Sequence, residues 1–309
     1  MAEPTRRDVD QVLEESMQLF DRARVSVVAP VAPQRPTRIL LALDGSLQDR
    51  LSFAIARQFH ARFSCAVAVV DAREDTTSDE LITAAADELD ATAVPKLPGH
   101  SFDQILAAVD QCQCDLLIAP SPYGRDLESV GPNSVGTVID VLLARVPVPL
   151  LVVRKPYEPR GELFSQVRMF LTAENEAAPE AAAWATGLIA ANGLFELVLL
   201  IEREMRENMQ ALLESIAPEA DVSADSLSHA LAKTHVRLHR SLQKAATEVG
   251  FEYKLRLQIE ATDAADAMTD PPPGRLIVLA LERRDHASQG TVQSRIRQSP
   301  HPVLVVCKD

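Results

Sequence analysis

From Arg38 onward, short runs that are apolar at every position alternate with stretches that are apolar at helical spacing. "RILLAL", "CAVAVV", "ATAVPKL", "DLLIAP" and "PLLVV" are the runs; between them lie "LQDRLSFAIARQFHARF", a segment near residues 78 to 90, "SFDQILAAVDQC" and "GTVIDVLLAR". Unbroken apolar runs separated by helices predict strands buried on both faces of a parallel sheet. The pattern therefore predicts one doubly wound α/β unit of five strands.

The pattern then recurs. "RILLALDGS" from Arg38 is echoed by "RMFLTAEN" from Arg168, and "VVDARE" from Val69 by "LIEREM" from Leu200. "DLLIAP" is echoed by "RLIVLA" from Arg275, and "GTVIDVLLARVPVPLLVVRK" from Gly136 by "GTVQSRIRQSPHPVLVVCK" from Gly290. Segments repeated in the same order predict two copies of one unit. The later copy carries an insert, roughly 203 to 249, that reads as two helices around the turn-rich "APEADVSADS". Proline, glycine and charge in "RKPYEPRGEL" mark a boundary, giving domains at 37–156 and 166–309. Ahead of them, residues 1–36 comprise an amphipathic helix with Val9, Val12, Leu13, Met17 and Phe20 on one stripe, then the proline-rich linker "APVAPQRPTR". That helix is expected to dock on its own chain, with a partner as the alternative.

Composition narrows the function. A length of 309 residues suits two domains, and the net charge of −13 argues against a nucleic-acid or anionic-lipid surface. No apolar run approaches the ~18 residues of a membrane span, and "MAEPTRRDVDQ" lacks the apolar core of a secretory signal. A cytoplasmic protein is expected. Cys65, Cys112, Cys114 and Cys307 are too scattered for a disulfide framework, and the single-residue gap between Cys112 and Cys114 does not match zinc or redox spacing.

The strand ending "ALDGS", the strand ending "VVDARE", the segment "DLLIAPSPYG" and the closing "GTVIDVLLARVPVPLLVV" resemble a universal stress protein domain, and the whole chain resembles a tandem pair of them. The resemblance covers 37–156 well and 166–308 more loosely. It implies two Rossmann-like parallel-sheet domains of the adenine nucleotide alpha hydrolase-like type. It also implies a binding or signalling role in stress, with ATP or AMP in the first domain and Mg2+ accompanying a triphosphate. Asp44, beside Ala42 and Leu43, matches an acidic position on the ribose and adenine side. Val69 matches a position whose backbone reads adenine. The family's phosphate loop, with two glycines ahead of a Gly-Ser/Thr helix start, maps onto Ser121, Gly124, Gly136, Thr137 and Val138. Serine replaces the first glycine, and eleven residues rather than nine precede Gly136. Glycines let backbone amides reach phosphate oxygens at a helix start. The alternative is a nucleotide-free stress protein in which Gly124, Gly131 and Gly136 only shape a loop and Asp44 caps a helix.

In the second domain "ALERRDHASQGTV" has no glycine before Gly290, so that copy is expected to be structural or regulatory. The closing strands "VPLLVV" and "PVLVV" are apolar edges. Family members dimerise through that edge, so the two copies are expected to form an internal pseudo-dimer, with a homodimer or a protein partner left open. His229, His235 and His239 resemble a zinc helix in spacing but lack its glutamate, and a solvated face is expected instead. Ser46, Ser121, Asp44 and His100 supply the residue types of a hydrolytic triad without a nucleophile elbow. The HIGH, KMSKS, SGGxDS and GxxxxGK[ST] signatures are absent. The reading is a binding module, with slow ATP hydrolysis as the remaining enzymatic option.

Overall fold

The computed structural model describes residues 29–74, 80–125, 127–131, 134–155, 162–171, 175–201, 235–259 and 274–308. In the first half, β1 (Arg38–Leu43), β2 (Ala66–Asp71), β3 (Thr92–Ala93), β4 (Leu116–Pro120) and β5 (Leu150–Val153) alternate with helices. These are α1 (Gln48–Phe63), α2 (Glu80–Leu89), α3 (Ser101–Cys112), the short α4 (Leu127–Val130) and α5 (Thr137–Arg145). The second half contains β6 (Gln166–Leu171), α6 (Ala178–Leu188), β7 (Leu194–Ile201), α7 (Val236–Val249), β8 (Glu252–Ile259), β9 (Arg275–Glu282), α8 (His286–Gln298) and β10 (Val303–Lys308).

All the strands join one sheet in the order β3-β2-β1-β4-β5-β10-β9-β6-β7-β8. Read inward from either end, the two sets of five strands follow the same sequence of neighbours. Pairing is parallel everywhere among the described strands except at the middle, where β5 and β10 run antiparallel with Val152 opposite Val303 and Leu151 opposite Leu304. Both closing strands are buried, so the apolar edges noted in the sequence face each other rather than solvent.

The alternation of side chains across the sheet divides the core in two. Ile39, Leu41 and Leu43 on one face, with Met169 and Leu171, pack under α1, α2, α6 and α7 through Leu51, Phe59, Ile82, Trp184 and Leu242. On the other face Leu40, Ala42 and Val152 meet Ile105 of α3, Ile139 and Leu142 of α5, and Ile296 of α8. Phe59 and Phe164 join the halves, with ring centroids 5.5 Å apart.

Several predicted elements change length. "ATAVPKL" yields only Thr92–Ala93, because Pro95 has no N–H to continue the ladder. Gly290 lies inside α8 rather than opening it: Asp285 accepts the amide of Ser288 at 3.2 Å and starts the helix earlier. Within the predicted insert, α7 forms the crossover from β7 to β8, while residues 202–234 lie outside the described residues, as do the amphipathic stripe of 9–20 and residues 156–161 of the predicted boundary.

The linker ahead of β1 crosses to the second half. Val31 N donates to Ser241 O of α7 at 3.3 Å, and Gln34 N donates to Ala183 O of α6 at 2.8 Å. Gly187 makes room for this strap, since a Cβ there would stand 1.6 Å from Gln34 O.

Because the paired residues of the β5–β10 seam are apolar and buried, a carboxylate placed among them has no partner. Leu304→Asp is expected to destabilise the chain by about 3–5 kcal/mol, read as a lowered midpoint in urea denaturation.

Candidate functional site

The carboxyl ends of β1, β2 and β4 meet at one end of the first half, where open α/β sheets bind ligands. The chain leaves β1 through a turn whose amides are held by two acids. Asp44 accepts Ser46 N at 2.9 Å through Oδ1 and Gly124 N at 2.8 Å through Oδ2, and so ties this turn to the loop after β4. Asp49, in the first turn of α1, accepts Gly45 N at 2.8 Å. Gly45 has φ +78, and a Cβ there would lie 3.0 Å from Nη1 of Arg73, which grips Asp71 through two nitrogens.

Tyr123 closes the space between β1 and β2. Its hydroxyl donates to Leu43 O at 2.7 Å and accepts Ala72 N at 2.9 Å, with the ring 5% exposed. Burial pushes the phenol well above its usual range, so it stays protonated and both bonds persist.

The loop from Ser121 to Gly136 is organised around a cation. Arg154, the residue after β5, sends Nη1 to Ser134 O at 2.8 Å and to Ser121 Oγ at 3.4 Å, and Nη2 lies 3.5 Å from Gly131 O. Ser121 in turn donates its hydroxyl to Val135 O at 2.8 Å and its amide to Val153 O. Burial and the nearby Arg297 lower the pKa of Arg154, although a guanidinium remains charged. The ends of the loop also touch: a Cβ on Gly136, at φ +89, would stand 2.9 Å from Pro122 Cβ. A phosphate cradle presents inward-facing amides at a helix start. Among the described residues of this loop, the carbonyl oxygens of Ser134 and Gly131 turn toward the guanidinium of Arg154 instead.

The residues singled out in the sequence fall into three places. Asp44 and Gly124 are in direct contact, and Ser121 and Gly136 approach one another through Val135 and Pro122. Thr137 and Val138 form the first turn of α5. Ala42 and Val69 lie within the strands, with the Val69 carbonyl taken by Val94 N at 2.8 Å, while Leu43 is engaged by Tyr123. Sequence reasoning missed Asp49, Tyr123 and Arg154. The visible signals were a second acid five residues after the first in "DGSLQD", the aromatic in "SPYG" and the charge ending "LLVVR".

Of the other clusters noted in the sequence, His229 lies outside the described residues. His100 faces Glu74 at 3.2 Å and stacks on Phe102, and His239 bonds the Tyr253 hydroxyl at 2.8 Å. Among the described residues no three His, Cys, Asp or Glu side chains come together as metal ligands. Burial pushes the thiols of Cys65 and Cys114 up to about 11 and about 12, which makes them inert packing groups. In the second half only Arg283–Asp285 separate β9 from α8. A cavity of about 880 Å³ lies there between the strap and the helices, lined among others by Val31, Gln34, Asn175, Glu176, Leu238 and Glu282. No helix among the described residues is long and apolar enough to cross a membrane.

No protein-family model matches the sequence, and neither does any curated protein. Solved structures match its shape. A functionally unknown protein from Pseudomonas aeruginosa PAO1 aligns over 89% of this chain and 93% of its own, with TM-score 0.58 and 13% identity. A candidate universal stress protein from Pseudomonas aeruginosa UCBPP-PA14 aligns over 88% and 93%, with TM-score 0.58 and 13% identity. A universal stress protein from Archaeoglobus fulgidus DSM 4304 aligns over 90% and 98%, with TM-score 0.53 and 15% identity. The fold is shared with universal stress proteins. At these identities the likeness concerns the path of the chain, not the side chains of a site.

Two predictions follow from the packing of this site. Gly136→Ala combines a backbone region open essentially to glycine with a clash against Pro122, and is expected to cost about 2–4 kcal/mol. Gly124→Ala meets nothing within 4 Å, so it carries only the left-handed penalty of about 1 kcal/mol; thermal denaturation of the pair checks the ranking. Burial, reinforced by the adjacent Asp44 carboxylate, pushes Asp49 from an ordinary 3.8 up to about 7. The folded state therefore holds a proton that the unfolded state has released between those values, and stability falls as pH rises through that window and levels off above it. Asp49→Asn is expected to exceed the parent by on the order of 2–4 kcal/mol at pH 8 and to converge with it near pH 4, measured by denaturant titration at both.

Proposed function

We propose that the chain is a universal stress protein-type binding and signalling protein that engages its partners without an adenine nucleotide in the first half. The observation that carries this reading is the Arg154 guanidinium inside the loop, bonded to Ser134 O and Ser121 Oγ where a phosphate would need amides. Two further features support it. The Asp44 carboxylate is already committed to Ser46 and Gly124, and Tyr123 spans the ends of β1 and β2. The antiparallel pairing of β5 with β10 supports a tandem pair of domains acting as an internal pseudo-dimer, each supplying the edge that the other needs.

A second reading, ATP or AMP held in the first half, is favoured by the position of Asp44 at the carboxyl end of β1 and of Gly136–Thr137 at the start of α5. The two are separated by equilibrium titration of the purified full chain with ATP and AMP up to millimolar concentration, in the presence of Mg2+. The nucleotide-free reading expects no saturable binding and no adenine nucleotide released on denaturation. Stoichiometric nucleotide, bound or copurified, overturns it.

A further inference from the structure

The turn after β1 holds two buried carboxyl groups that are satisfied unequally. Both oxygens of Asp44 accept backbone amides, those of Ser46 and Gly124. Asp49 places one oxygen on Gly45 N, while its Oδ1 is buried without a hydrogen-bond partner, as is the hydroxyl of Ser46 in the same turn. Asp49 as a whole is 4% exposed. A carboxylate with an unpartnered buried oxygen is costly, and placing a proton on that oxygen removes most of the cost.

The backbone amides of Gly45 and Asp44 and the Arg73 guanidinium favour the charged form of Asp49, but burial and the Asp44 carboxylate outweigh them. Asp44 stands beside it in the turn and repels a second negative charge. From the end of β2 come Asp71 and Arg73, which are engaged with each other through Nε and Nη2. From the loop after β4 comes Tyr123, a neutral phenol already bonded to Leu43 and Ala72. From α2 the apolar Leu81 approaches Gly45.

We propose that Asp49 is a proton-operated latch on the contact between Asp44 and Gly124, tight while its carboxyl is neutral and slack once it is ionised. The coupling runs through Asp44. A charge on Asp49 opposes the carboxylate of Asp44, whose Oδ2 holds Gly124 N. Gly124 is exposed and its α-carbon is open to solvent on the side a Cβ would occupy, so little packing replaces that bond when it weakens. The proton exchanges with bulk water. Burial and Asp44 together place the transition at about pH 7, so modest changes on either side of neutrality alter the hold on Gly124. The device operates on the chain's own loop and does not depend on whether a nucleotide binds.

The test is nuclear magnetic resonance of the 15N-labelled full chain between about pH 5.5 and 8.5. The Gly124 amide resonance is expected to titrate with a midpoint near 7, and in Asp49→Asn it is expected to stay at its low-pH position throughout. A Gly124 resonance that does not move in the parent, or one that titrates equally in the variant, overturns the proposal. Should Asp49→Asn fail to fold, the side-chain 13Cγ of Asp49 in the parent decides. A midpoint near 7 upholds the latch, and one below about 5, within the ordinary carboxylate range, overturns it.

Discussion

The antiparallel contact of β5 with β10 is the constraint on which the rest of the molecule depends. Each of these strands ends its half of the sheet and is apolar on both faces, so neither can stand at an open edge in water. Once they pair, the helices beside them are brought together. Gln293 of α8 donates to Asp140 of α5 at 2.9 Å, and Arg283, just past β9, reaches the carbonyls of Leu143 in the last turn of α5 and of Val146 just after it. A cation at the carboxyl end of a helix answers its unpaired carbonyls and its dipole. The second half thus finishes a helix that belongs to the first.

That helix is the one the loop Ser121–Gly136 leads into, so the seam also determines what surrounds the candidate site. Arg154 emerges from β5 directly beneath the loop, and Arg297 of α8 lies close enough to lower its pKa. Two guanidiniums near one another favour a neighbourhood rich in acceptors, and the inward carbonyls of Gly131 and Ser134 supply it. The turning of these two carbonyls toward the loop's interior cation follows from what stands at the end of β5.

Much of the architecture was legible because it rests on burial. Strands enclosed on both faces must be apolar at successive positions, which made β1, β2, β4 and β5 readable as runs, and the recurring pattern made β6, β7, β9 and β10 readable as echoes. Local chemistry set the remaining boundaries and was harder to weigh. Asp285 starts α8 ahead of the Gly290 that the repeat pointed to, and Pro95 stops β3 after two residues. Within the site, Asp44 and Gly124 were singled out by the family resemblance, and they meet where the carboxyl ends of the neighbouring strands β1 and β4 lie side by side. Asp49, Tyr123 and Arg154 were not, since their importance lies in partners some way off in sequence: Leu43 for Tyr123, and Ser134 and Ser121 for Arg154. A charged residue after a strand ordinarily reads as a solvated one, and nothing along the chain reveals that a loop will fold over it.

The strap ahead of β1 has a consequence for the order of assembly. Its seats, Ala183 on α6 and Ser241 on α7, belong to the part of the chain made later, and Gly187 leaves the groove into which Gln34 settles. During synthesis these early residues emerge with nowhere to lie, and they come to rest only after the distal layer of helices has formed. The strap can close only after α6 and α7 have formed, and it then fastens the segment ahead of β1 onto helices of the second half.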